Sequence, residues 1–117
     1  MPRQATPPHP LPGPLLELIA ERFRALGEPK RIMLLDHLRE GPATVGELSE
    51  AVGASQQNVS KHLALLRGAG MVERERDGNF IRYRIDDPTV FQLCELVCGR
   101  LRQQAGELTR AVAAVAG

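Results

Sequence analysis

Apolar residues at Leu15, Leu16, Ile19, Phe23 and Leu26 recur in steps of one, three and four. That spacing predicts an amphipathic helix, stopped by Gly27. Pro29 suits the first turn of a second helix carrying Ile32, Leu35 and Leu38, and Gly41-Pro42 closes it. Between Thr44 and Met71 the pattern becomes two short helices joined through one glycine. Thr44 and Glu47 fit a capping box, in which each side chain satisfies a free amide of the first turn. Leu48 and Val52 share a face, and Gly53 stands where a helix end favours a left-handed residue. Ser55 then caps a second helix running to about Arg67, before Gly68 and Gly70. Two helices so joined suggest a helix-turn-helix, whose second helix enters a DNA major groove.

From 71 to 86 the period drops to two. Ile81, Tyr83 and Ile85 alternate with Arg82 and Arg84, and Phe80 is a further strand former. Asp77-Gly78 or Gly78-Asn79 marks a tight turn between two strands. A hairpin after a recognition helix is the wing of a winged-helix fold. Pro88 opens a long last helix with a stripe at Val90, Cys94, Val97, Leu101, Ala105 and Leu108. Such a stripe needs covering, by the first helix and a second copy of the chain. The fold expected is mainly α with a β-hairpin wing, in the order α-α-α-α-β-β-α, as a homodimer through its first and last helices.

The second helix of the pair sorts its residues by face. Gln56, Gln57, Ser60 and Lys61 fall within an arc of roughly 140°, opposite most of Val59, His62, Leu63 and Leu66. Amides and hydroxyls read base edges, while Lys61 and the helix N-terminus suit phosphates. An ordinary surface helix would present a similar face. Residues 61–86 hold Lys61, Arg67, Arg74, Arg76, Arg82 and Arg84 against Glu73, Glu75, Asp77 and Asp86. The arginines cluster around the hairpin, where they can straddle phosphates or enter a minor groove. Cross-strand ion pairing is the alternative use, and for Arg74 it is at least as well supported.

Composition narrows the classes. With 117 residues the chain suits one compact domain, and a net charge of +1 confines any basic face to a local patch. Aromatic residues are 3% of the chain, so the core is aliphatic. No apolar run reaches the roughly 18 residues of a membrane span, and no signal-peptide core opens the sequence. Two cysteines four apart are a poor disulfide framework, which points to a reducing cytoplasm. Residues 1–14, with six prolines, read as a disordered arm containing His9. The three histidines are scattered, and neither a zinc-protease helix nor a phosphate-cradling glycine loop is present, so an enzyme is not expected.

ALGEPKRIMLLDHL (25–38), VGELSEAVGASQQNVSKHLALLRGAGMV (45–72) and RDGNFIRYRI (76–85) together resemble the ArsR/SmtB family of bacterial winged-helix repressors. The resemblance covers about residues 15–102, leaving 103–117 as an extension of the last helix or a frayed tail. It implies a homodimer that binds double-stranded operator DNA and leaves it when an inducer, often a metal ion, binds. It places Gln56, Gln57, Ser60 and Lys61 at the DNA, and Ser55, with Arg76, Asn79 and Arg82 of the wing, are the further contacts expected there. His62 matches the family's recognition-helix histidine, in an inward, structural position.

The family's familiar inducer sites are absent. A Cys-x-Cys pair before the recognition helix is replaced by Glu47-Leu48-Ser49-Glu50, and of the last-helix ligand set only Asp87 remains. Cys94 and Cys98 are left, at i and i+4, with Cβ atoms roughly 5–6 Å apart on a helix face. Two thiolates so placed share one soft ion such as zinc, cadmium, lead or arsenite. A second copy, the first helix or His9 would complete the set. Three readings of the pair stand: metal ligands, redox or reactive-sulfur switch, and packing residues of a constitutive regulator. A winged helix that binds only protein is a further alternative.

Overall fold

The computed structural model describes residues 6–116, with side chains through 114. Residues 1–5 of the expected proline-rich arm, and the end of the 103–117 segment, lie outside the described residues. The elements are α1 (Gly13–Leu26), α2 (Pro29–Leu38), β1 (Ala43–Thr44), α3 (Val45–Val52), α4 (Gln56–Gly68), β2 (Val72–Asp77), β3 (Phe80–Ile85) and α5 (Thr89–Ala116). The chain divides into two compact units, the first ending at Asp86 and the second beginning at Asp87. None of the described helices is long and apolar enough to cross a membrane.

The expected order of elements is present, with one addition. Ala43 and Thr44 form a short strand antiparallel to β3, so the hairpin is part of a three-stranded sheet of order β1-β3-β2. Two residues are too few to show a period. Thr44 is extended (φ −80°, ψ 162°) because it caps α3, and that conformation lays it alongside Arg82. The helix α1 opens at Gly13, two residues before Leu15, with Pro14 in the first turn, where its missing amide costs nothing.

The core of the first unit is aliphatic. Leu34, Leu35 and Leu38 of α2 are buried together with Leu48 and Val52 of α3 and Val59, Leu63 and Leu66 of α4. Met71, Val72 and Tyr83 bring the sheet into this core. Arg31 of α2 ties the end of α1 down by donating to the carbonyls of Ala25 (2.6 Å) and Arg24 (2.9 Å). Both carbonyls lie in the last helical turn, and that of Arg24 also accepts from the Gly27 amide at 3.2 Å. By contrast, α1 buries only Ala25 completely and leaves Leu16, Leu18 and Phe23 exposed.

Candidate nucleic-acid interface

The turn between α3 and α4 is fixed by local chemistry. The capping box is complete: the Glu47 amide donates to the Thr44 hydroxyl and the Thr44 amide to the Glu47 carboxylate, each at 3.1 Å. Gly53 sits at φ +66°, a left-handed conformation in which a Cβ is disfavoured. Its neighbours are held from two sides. The Ser49 hydroxyl donates to the Ala54 carbonyl, and Lys30 Nζ donates to the Val52 carbonyl at 2.7 Å. Ser55 then caps α4, accepting from the Asn58 amide at 3.1 Å.

These constraints set the rotation of α4. Val59, Leu63 and Leu66 have no exposed surface, while Ser55, Gln56, Gln57, Ser60 and Lys61 all face solvent. Lys61 has no carboxylate partner among the described residues. His62 lies at the margin between core and surface. Its Nδ1 is 3.3 Å from Arg31 Nη1 and its Nε2 is 3.8 Å from Glu28, so it links α4 to α2.

The hairpin turns at Gly78-Asn79, with Gly78 at φ +62° and Asp77 paired to Phe80. Its register separates the charges onto two faces. Glu73, Glu75 and Asp77 stand opposite Arg84, Arg82 and Phe80 respectively, on one face. There Arg82 is held by Asp77 at 2.9 Å and by Glu47 at 3.0 Å, and Arg84 lies 3.4 Å from Glu75 and from Asp86. The bond to Asp77, with Glu47 beside it, holds the Arg82 guanidinium more firmly charged than usual. Arg74 and Arg76 occupy the other face, opposite Tyr83 and Ile81, and pair with no carboxylate among the described residues. Asn79 and Phe80 are exposed at the tip.

On α5, Cys94 is half-buried and Cys98 exposed, both as free thiols. Arg102 Nε and Nη2 donate to Cys98 Sγ at 3.4 and 3.3 Å. Among the described residues no group of three or more His, Cys, Asp or Glu is gathered to hold a metal ion.

Over residues 28–74 the chain matches the family described as bacterial regulatory protein, arsR family. It is 39% identical over 89 residues to the HTH-type transcriptional regulator NmtR of Mycobacterium tuberculosis, covering 76% of this chain and 74% of that protein. The chain belongs to the arsR family. Two solved structures place the family's fold on these elements. The homodimeric winged helix-turn-helix DNA-binding domain of Mb0332 from Mycobacterium bovis has a TM-score of 0.72 at 30% identity, over 80% of this chain and 87% of that one. The cadmium metal-sensor CMTR of Mycobacterium tuberculosis has a TM-score of 0.57 at 38% identity, over 67% and 82%. The protein is therefore a transcriptional regulator of the ArsR/SmtB type, a class of regulators and not of enzymes.

Within this arsR-family frame the arginines of the wing differ in their partners. Arg82, expected at the DNA, is engaged by two carboxylates, one of them on α3. Arg74, for which ion pairing was as good a reading, has no carboxylate partner among the described residues. The parity of the strand carries that signal, since Arg74 and Arg76 share a face with Tyr83 and not with the acids.

Proposed function

We propose that the protein is a homodimeric repressor that reads operator DNA through α4 and the wing. The observation that carries this reading is the α4 surface. Its amides, hydroxyls and the Lys61 ammonium, which has no carboxylate partner among the described residues, are all exposed, near the helix N-terminus and beyond a fixed turn. Gln56, Gln57 and Ser60 would contact base edges, with Ser55, Lys61, Arg76 and Asn79 at phosphates or the minor groove. Arg82 would act by holding the wing against α3. The homodimeric state of the Mb0332 domain supports pairing of subunits, and the exposed apolar residues of α1 and α5 offer the surface for it. Residues 15–102 would carry both activities, with the 103–117 segment lengthening the last helix.

We further propose that Cys94 and Cys98 receive the inducer, a soft metal or metalloid ion, in a reducing cytoplasm. The cadmium sensor among the similar structures supports the class of ion. Two sulfurs are half of a tetrahedral set; the thiols of a second copy of α5 would supply the other half, or the first helix or His9 a third ligand. A thiol redox switch is favoured by a different observation: the Arg102 guanidinium against Cys98 adds positive charge where a cation would bind. One experiment separates these readings. Affinity for the DNA upstream of the protein's own gene is measured at fixed salt under reducing conditions, with zinc, cadmium, lead and arsenite, for wild type and Cys94→Ser/Cys98→Ser. Release by one ion in the wild type alone is the expected result. Release only after oxidation would replace the metal reading with the redox one, and absence of specific binding would sink the repressor.

A further inference from the structure

We infer that the open cavity between α4 and the β2–β3 hairpin is a seat for one phosphate of the DNA backbone, held by the Arg74 guanidinium and the Tyr83 hydroxyl. The inference rests on the DNA-binding reading above and adds a contact to it. The cavity, of about 360 Å³, is lined by Ala64, Arg67, Gly68, Glu73, Arg74 and Tyr83.

Its charges leave one cation available. The Glu73 carboxylate accepts from Arg67 Nε at 2.7 Å and from the Arg74 amide at 3.0 Å. These donors, Arg67 first, hold its carboxyl below the ordinary value, so it is ionised and neutralises Arg67. The Arg74 side chain has no acid partner among the described residues and gives the cavity a net positive charge. Tyr83 stands directly opposite Arg74 across the hairpin, so the two side chains leave the same face of the sheet. Tyr83 is only 8% exposed, and its hydroxyl, which has no hydrogen-bond partner among the described residues, is reached by solvent. A guanidinium and a tyrosine side chain that line one open cavity from the same face of the sheet offer the donor types that hold a phosphate.

The position selects a phosphate of the DNA over a free anion. Ala64 lies four residues after Ser60, and Gly68 four after Ala64, so the cavity continues the exposed α4 face that begins at Gln56 and Gln57. Both residues are small, and a Cβ added at Gly68 would meet nothing within 4 Å. A strand whose groove is occupied by the start of α4 can therefore bring a phosphate alongside its later turns unobstructed.

The test uses the full chain, a short duplex from the region upstream of its own gene and a scrambled duplex, with affinity measured across a salt series. Arg74→Gln should weaken both duplexes about tenfold and reduce the slope of log affinity against log salt by about one. Arg74→Lys should restore most of the slope. Tyr83→Phe removes only the hydroxyl and should cost a few-fold with the slope unchanged; melting curves confirm that each variant folds. Arg74→Gln with wild-type affinity and slope, in a protein that still binds its own duplex specifically, overturns the seat and leaves the repressor standing. Loss of specific binding in the wild type overturns both. If inorganic phosphate binds in an Arg74-dependent way while DNA affinity does not change, the cavity holds a free anion and the inference is wrong.

Discussion

The helices α4 and α5 are both amphipathic, but they turn opposite faces to the surroundings. In α4, Val59, Leu63 and Leu66 are fully buried, and the exposed residues of its first turns are amide, hydroxyl and ammonium, with Leu65 the one large apolar side chain left outside. In α5, Leu93, Leu96, Val97, Leu101, Leu108 and Val112 stay exposed within the single chain. A polar face without internal partners suits a polar, anionic surface, whereas an apolar stripe is stabilised by removing it from water, at about 25 cal/mol per Å². The two helices thus divide the labour expected of a regulator. On the function proposed above, one would carry the contacts that distinguish sequences, and the other the contacts that bring two such helices to one site.

That division is broken most severely at α5. Leu101→Glu with Leu108→Glu places charges in the stripe, and sedimentation equilibrium should show monomers. Loss of the second half-site should then lower operator affinity at least about a hundredfold, because two linked sites bind far more tightly than either alone. Monomers that bind as tightly as wild type would end the comparison. In α4 the largest effect comes from the buried side: Leu63→Ala should destabilise the fold by about 3 kcal/mol in urea denaturation. The exposed side should behave differently. Gln57→Ala should leave stability unchanged, cost about 1–2 kcal/mol of operator affinity and relax the sequence preference. Lys61→Ala should weaken all duplexes alike and lower the salt slope by about one. If Gln57→Ala and Lys61→Ala gave the same profile, α4 would not be separating base reading from phosphate contact.

What the sequence made legible follows the same line. Thr44, Glu47, Gly53 and Ser55 act on backbone groups within a few residues, so the helix-turn-helix could be read from spacing alone. The strand β1 could not, because its two residues are extended by a cap and paired by a partner some forty positions away. The hairpin was visible as alternation, but the roles of its arginines depend on what lies across the sheet and beyond it. Arg82 is engaged by Glu47, which adjacent sequence does not reveal, whereas Arg74 faces a cavity. The anchoring of α1 by Arg31, and the link from Arg31 to His62, depend on the packing of three helices. For Cys94 and Cys98 the spacing was plain and the Arg102 contact is one helical turn away; further donors to a metal would come from beyond α5's own turns.

The smallest effect expected concerns Glu47, where the cap of α3 and the wing meet. Its carboxyl is held below its ordinary value of 4.5, first by the Thr44 amide, then by the Thr44 hydroxyl, with Arg82 adding to both. A carboxyl of this kind binds a proton more readily in the unfolded chain than in the folded one. The stability it contributes is therefore present above 4.5 and is lost as pH falls through the lower folded value. Glu47→Gln keeps the shape of the side chain and removes the charge. The variant should melt below wild type at neutral pH, and the gap should close as the solution is acidified below the ordinary carboxylate range. Arg82→Gln should narrow the same gap at neutral pH, since the variant carboxamide and the wild-type carboxylate would then differ only at the Thr44 amide and hydroxyl. A gap between wild type and Glu47→Gln that keeps its size across the whole range would mean that Glu47 acts by packing alone. The link from α3 to the wing would then fall to the sheet pairing of Thr44 with Arg82.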